Sequence, residues 1–263
     1  EGVYGSITEA GTARVLRALA GLGGGDAAGA LGPGSVVLDV GAGLGRPLLH
    51  AAVAAGCSGG IGVEVDSVKC EKAAAFLRLT LARLAACGDP EGALERLRGA
   101  GGGGRLPAVF CADVGGLRTV EPATHVYSFW EGIPGDARAA LGALVRKSRS
   151  VRGVAVVQRA LRGGRDGAEG AMAELGFGAL RLEASFPVAM SGSGRGFVAY
   201  IFARAPPPPA AAADDFPPEL ALDRLAAAAA ARSAAAAPPG APRGQAPPGG
   251  RPRAGPRPRQ APP

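Results

Sequence analysis

The chain has 263 residues, 47% of them apolar, enough to build the core of one substantial domain with a segment to spare. No run of about 18 bulky apolar residues occurs, which excludes a membrane-spanning helix, and no membrane partner is expected. The formal charge of +7 permits an acidic or nucleic-acid partner. Arg outnumbers Lys 26 to 3 in a chain dominated by Ala, Gly, Pro and Arg, however. A GC-rich genome imposes that composition on any protein, so basicity by itself selects no partner.

In chain order, Thr8 to Leu19 reads as an amphipathic helix opening on Thr-Glu, with Val15, Leu16 and Leu19 on one face. Val36 to Val40 is a strand, and Pro47 to Ala55 a helix with Pro in its first turn. Ile61 to Val65 is the next strand, followed by a helix over Val68 to Ala86 carrying Ala73, Phe76, Leu77, Leu81 and Leu84 at helical spacing. A surface loop covers Gly99 to Gly104. Strands at Val109 to Ala112, His125 to Phe129 and Val154 to Val157 then alternate with helices at Asp136 to Val145 and Ala168 to Leu175. Such alternation predicts a parallel sheet with right-handed crossovers. Leu180 to Val188 and Phe197 to Arg204 break the pattern as two consecutive strands joined by S-G-S-G-R-G, an antiparallel hairpin.

The composition changes near Ala205. Residues 206–263 hold 16 of the 23 prolines, and their only helical stretch is Phe216 to Ala231. Without bulky apolar residues this segment cannot recover the entropy of ordering. The expected organisation is therefore an α/β domain over 1–205 and a disordered low-complexity tail over 206–263. The tail's Arg243, Arg251, Arg253, Arg257 and Arg259 suit contacts to nucleic-acid phosphates, or else the tail is a linker.

Four cysteines (Cys57, Cys70, Cys87, Cys111) include no C-x-x-C pair, and the two histidines fit no ligand spacing with them. A zinc site or disulfide framework is not expected. Cys57 and Cys111 fall in apolar stretches and read as buried free thiols, which suits a reducing compartment.

The sharpest motif is D-V-G-A-G-L-G, carrying Asp39, Gly41, Gly43 and Gly45 between a strand and a helix. Glycines there allow positive φ and close backbone approach, and the helix N-terminus offers unpaired amides. A dinucleotide fingerprint would need G-x-G-x-x-G/A, but position 46 is Arg. The G-x-G-x-G spacing, with a carboxylate two residues ahead, resembles the class I S-adenosylmethionine (SAM)-dependent methyltransferases. Glu64 ends the second strand, where a carboxylate can accept both ribose hydroxyls, and Asp66 either points to the opposite face or caps the next helix. Asp113 ends the third strand, and in that superfamily this acid accepts from the adenine amine; the alternative is a turn cap.

The fourth strand ends T-H-V-Y-S-F-W-E-G-I-P, where such enzymes present target-contacting residues. Neither the acid-or-Asn, Pro-Pro, aromatic signature of base-amine methyltransferases nor a Pro-Cys nucleophile is present. Phe129 and Trp130 can line a channel for an aliphatic amine or shield a sulfonium; the alternative is core packing, favoured more for Phe129 than for Trp130.

Upstream, V-Y-G-S-I-T-E-A-G-T resembles the cofactor-covering loop of the non-SET, disruptor-of-telomeric-silencing type histone H3 lysine methyltransferases, with Tyr4, Gly5 and Thr8 as counterparts. The resemblance spans roughly Val3 to Ala160. It implies a Rossmann-like fold, SAM as cofactor, a lysine of histone H3 in nucleosomes as target, and a nuclear location. It places Tyr4 and Thr8 on the cofactor and Tyr4, Ser128, Phe129 and Trp130 around the target amine. Ser6 stands where that family has Glu, and Ser128 where it has Asn. The proton acceptor for the amine is open among Tyr4, Glu9, Glu131 and water. Competing readings are a class I methyltransferase for a small molecule or non-histone protein, with the cytoplasm as its location, and a non-catalytic module keeping a degenerate pocket.

Overall fold

A computed structural model describes residues 6–23, 29–88, 92, 106–191 and 196–204. Tyr4, the Gly99 to Gly104 loop and all of the 206–263 tail lie outside the described residues.

Seven strands form one sheet: β1 (Val36–Val40), β2 (Gly59–Glu64), β3 (Ala108–Cys111), β4 (His125–Phe129), β5 (Gly153–Gln158), β6 (Leu180–Ala189) and β7 (Gly196–Arg204), in the order β3-β2-β1-β4-β5-β7-β6. The first five are parallel, and β7 inserts antiparallel between β5 and β6. This is the sheet expected from the sequence, hairpin included. Strand order reverses between β1 and β4, so a crevice opens at their carboxyl ends.

Among the described residues, five helices cover the faces: α1 (Glu9–Ala20), α2 (Arg46–Ala54), α3 (Ser67–Ala86), α4 (Gly135–Lys147) and α5 (Gly164–Glu174). One apolar layer packs α1, α2 and α3 through Val15, Leu19, Leu48 and Leu77 against Val37, Ala155, Val157 and Ile201. The other packs α4 and α5 through Leu141, Val145 and Met172 against Leu38, Val126, Val154 and Phe202. Strand alternation divides the side chains between the layers, and both faces are buried, which explains why β1, β4 and β5 read as continuous apolar runs.

Two polar centres hold the edge of the sheet opposite the crevice. His125, fully buried, bonds Thr124 Oγ1 at 3.0 Å and the Gly29 carbonyl at 3.1 Å, and burial lowers its imidazole to about 4. The Glu121 carboxylate accepts from the Ser148 hydroxyl, the Arg149 amide and the hydroxyl and amide of Ser150. Burial opposes ionisation of Glu121, but these donors outweigh it and its carboxyl sits below the usual range.

The N-terminal segment is tied to the crevice side of the sheet. Ile7 forms an antiparallel bridge with Met190, and the Thr8 amide donates to Ala189 at the tip of the β6–β7 hairpin.

Candidate functional site

The turn after β1 is built from glycines in conformations that L side chains rarely adopt. Gly41, Gly43 and Gly45 have φ of 78°, 52° and 73°. A Cβ on Gly41 would lie 2.9 Å from the Ile133 side chain, while one on Gly43 would meet open space. Gly45 is the N-cap of α2 and contributes no side-chain cap, which leaves amides of the first α2 turn without a side-chain partner from the cap. The turn folds onto β2, because the Gly41 and Ala42 amides both donate to the Val63 carbonyl at 2.8 and 3.1 Å.

Glu64 anchors the same turn. Its Oε2 accepts the Gly43 amide at 3.0 Å and its Oε1 the Asp66 amide at 3.1 Å, and the residue is 5% exposed. Asp66 caps α3 by accepting from Val68 and Lys69, the capping role rather than the opposite-face one. Asp39 lies on the same sheet face as Glu64, 2% exposed, and no donor among the described residues reaches its carboxyl group. Burial, reinforced by the nearby charge of Glu64, pushes Asp39 up to about 8. Gly62, in register with Asp39, keeps this space: a Cβ there would meet Val109 at 2.7 Å and Ala42 at 2.8 Å.

Tyr127 is a site residue that motif reading missed. It is in register with Asp39 on β4, is 4% exposed, and is held in its neutral form by burial and by the Asp39 carboxylate. The signal was available: counting by two from His125 places Tyr127 and Phe129 on the face of β4 shared with Asp39.

The same alternation corrects the expectation for the end of β4. Trp130 is 2% exposed in the α4–α5 layer, with Phe177 at 6.2 Å and the Arg138 guanidinium 5.1 Å from its ring. Trp130 is therefore a core residue and lines no channel. Phe129 is the aromatic on the crevice face, half-buried edge-to-face against Phe197 at 5.0 Å, the reverse of the expected preference. Ser128 also belongs to the α4–α5 side. It is fully buried, and its hydroxyl donates to the Val40 carbonyl at 2.8 Å, so it fastens β4 to β1 instead of meeting a target.

Other expected residues serve local structure. The Thr8 hydroxyl is the N-cap of α1, accepting the Gly11 amide at 3.2 Å. Asp113 is exposed and caps a 3-10 turn through the Gly115 amide at 2.9 Å. Glu131 pairs with Arg159 at 3.0 Å, and Glu9 is exposed in the first turn of α1. Cys57 is buried as expected, but Cys111 is exposed, because edge strand β3 leaves its last residue uncovered. Among the described residues no cluster of three or more His, Cys, Asp or Glu could hold a metal, and no helix is long and apolar enough to cross a membrane.

No family model matches this chain, and no curated protein matches it in sequence. Solved structures are similar to it over most of the chain. Magnesium protoporphyrin IX methyltransferase from Synechocystis PCC 6803, with bound SAM, is 14% identical over 74% of this chain and 78% of its own, with a TM-score of 0.48. An RNA methyltransferase from Salinibacter ruber, in complex with S-adenosyl-L-homocysteine, is 16% identical over 82% and 98%, with a TM-score of 0.41. The topology itself is Rossmann-like: five parallel strands closed by a hairpin whose second strand inserts antiparallel.

Proposed function

We propose that the protein is a SAM-dependent methyltransferase. The observation that carries this reading is the pair of acids at adjacent strand ends: Glu64 holding the glycine turn, and Asp39 buried beside it with no donor among the described residues. A buried unpaired carboxyl group calls for a cation, and the amino group of a SAM methionine moiety is one. Glu64, 5% exposed at the mouth of the crevice, is placed to exchange backbone amides for ribose hydroxyls. Val65 is 71% exposed next to it and offers an apolar surface to a purine. Gly41, Gly43 and Gly45 let the chain pass close beneath the ligand. Asp113 lies at the next strand end, where its carboxylate would take the adenine amine. Tyr4 and Thr8 are the cofactor-covering residues that the N-terminal resemblance supplies.

When bound, SAM supplies an electrophilic methyl group on a sulfonium. This chain's contribution is to orient it, exclude water and hold the acceptor in line, which accounts for most of the acceleration in such a transfer. Tyr127 and Phe129 lie on the face of β4 that Asp39 shares. An amine acceptor must lose its proton first, since a lysine titrates near about 10.4.

Two acceptor readings follow from different observations. The Val3 to Thr12 segment supports a lysine of histone H3 in nucleosomes, with the Arg-rich tail touching phosphates and a nuclear location. The burial of Trp130 and Ser128 removes the aromatic channel and favours a small-molecule or non-histone acceptor. Transfer of a tritiated methyl group from SAM to nucleosomes, free core histones and a metabolite pool separates them. Label on H3 supports the first reading and label confined to metabolites the second. Absence of SAM binding by calorimetry overturns the methyltransferase reading itself.

A further inference from the structure

Cys70 and Cys111 come from elements remote in sequence, the first turns of α3 and the end of β3, and meet at the end of β2. The Cys70 thiol donates to the Glu64 carbonyl at 3.4 Å, and the Cys111 thiol to the Val65 carbonyl at 3.6 Å. The two thiols are thus held on consecutive carbonyls at the end of β2, close enough to perturb one another. The fold enforces this approach. Cys111 is in register with Glu64 across β2 and β3, and the Cys70 amide donates to Asp66, the cap of α3, at 3.0 Å. Closure requires the two sulfurs to approach to about 2 Å. Cys111 is exposed and Cys70 half-buried, whereas Cys57 is enclosed in the core and Cys87 is exposed at the far end of α3.

We propose that Cys70 and Cys111 are a redox pair that closes reversibly to a disulfide at the rim of the crevice, with hydrogen peroxide as oxidant, and thereby weakens binding of the adenosyl ligand. The thiolate of exposed Cys111 attacks one peroxide oxygen; the O–O bond breaks, hydroxide leaves as water after protonation, and Cys111 becomes a sulfenic acid. The Cys70 sulfur then displaces the sulfenic hydroxyl, which departs as a second water with the Cys70 proton. Two thiols are oxidised by two electrons and one peroxide is reduced to two waters. A dithiol reverses the bond by exchange. Burial, with Cys111 beside it, pushes the Cys70 thiol up to about 12, which fits Cys70 to the resolving role.

The consequence for the ligand rests on the methyltransferase reading. The Glu64 carbonyl accepts the Cys70 thiol and the Ala112 amide, while its carboxylate holds the glycine turn. Closure removes the thiol donors from the Glu64 and Val65 carbonyls and ties the start of α3 to β3. The strand end carrying the ribose acceptor is thereby re-set.

The full chain, treated with peroxide, capped with an alkylating agent and digested, is expected to yield a Cys70–Cys111 linked peptide by mass spectrometry. It should vanish with dithiothreitol and be absent from Cys111→Ser. Recovery of the two cysteines alkylated or singly oxidised, with no linked peptide, overturns the pair. Calorimetry with SAM is expected to show roughly tenfold weaker binding to the oxidised chain, the scale of one lost hydrogen bond to a charged group. Peroxide-treated Cys111→Ser should bind like the reduced wild type. Equal affinities for oxidised and reduced chain overturn the effect on the ligand. A linked peptide in a chain that binds no SAM even when reduced leaves the redox pair standing and overturns the methyltransferase reading.

Discussion

The Glu64 carboxylate accepts the Gly43 amide at 3.0 Å, so the acid that ends β2 also holds the glycine turn that follows β1. With its other oxygen on the Asp66 amide at 3.1 Å, one side chain fixes the turn, the strand end and the start of α3. An acid selected from the sequence as a ligand group is in the free protein a structural brace.

Glu64→Ala is therefore expected to act on two measurements. Loss of two charge-assisted bonds to backbone amides should lower stability by about 2–4 kcal/mol in denaturant titration. SAM binding by calorimetry should fall below detection. Glu64→Gln keeps one acceptor oxygen and should recover part of the stability with little of the affinity. A Glu64→Ala chain of wild-type affinity would remove Glu64 from the ribose site.

Asp39 sets a pH dependence. Its folded-state value, about 8, lies far above that of an unfolded carboxylate, about 3.9. The folded chain thus holds a proton that the unfolded chain has lost, and stability declines as pH rises through that window. Asp39→Asn should raise the melting temperature, more at about pH 8 than at about pH 5. It should also abolish SAM binding, because a neutral amide cannot pair with the ligand's ammonium. In the wild type, binding should release a proton and strengthen between about pH 6 and about pH 7.5. Calorimetry in buffers of different ionisation enthalpy measures that proton directly.

His125 works in the opposite sense. Its imidazole titrates near 4 in the fold and near 6.5 when unfolded. Unfolding takes up a proton between those values, so stability is full above about pH 6.5 and is lost as pH falls toward about 4, by roughly 3 kcal/mol. The donors around Glu121 hold it below the usual carboxylate range, and its contribution is lost at lower pH still. Replacing His125 by Gln should flatten the upper part of the acid limb in thermal denaturation and leave the lower part in place.

Trp130 and Ser128 separate core from crevice. Trp130→Ala should cost about 3–5 kcal/mol, as for other buried aromatics. Ser128→Ala should cost about 1–3 kcal/mol through the Val40 carbonyl it leaves without that donor. Folded protein of either variant is expected to bind SAM with wild-type affinity. Phe129→Ala, on the crevice face, is expected to raise KM for the methyl acceptor while shifting the melting temperature less than Trp130→Ala does. Equal effects of Phe129→Ala and Trp130→Ala on KM would refute the assignment of faces.

The sequence by itself determined the order and type of the elements. Strands over Val36–Val40 and His125–Phe129 and a closing hairpin are written in apolar runs, glycine turns and composition, which act locally along the chain. The same local chemistry placed Asp39 before three glycines that the fold holds at positive φ, and Glu64 at the end of β2. The tertiary structure decided which side chains share a face and which acids have partners. Ser128, Phe129 and Trp130 are adjacent in sequence, yet strand alternation sends the first and third into the α4–α5 core and leaves the second by the crevice. Thr8 and Asp113, expected as ligand groups, also serve as caps in the free protein, because a hydroxyl or carboxylate at a helix start bonds the nearest free amide. The meeting of Asp39 with Tyr127, and of Cys70 with Cys111, depends on strand register and helix placement. Pairing between residues tens of positions apart is settled by burying both faces of the sheet together, and no local pattern encodes it.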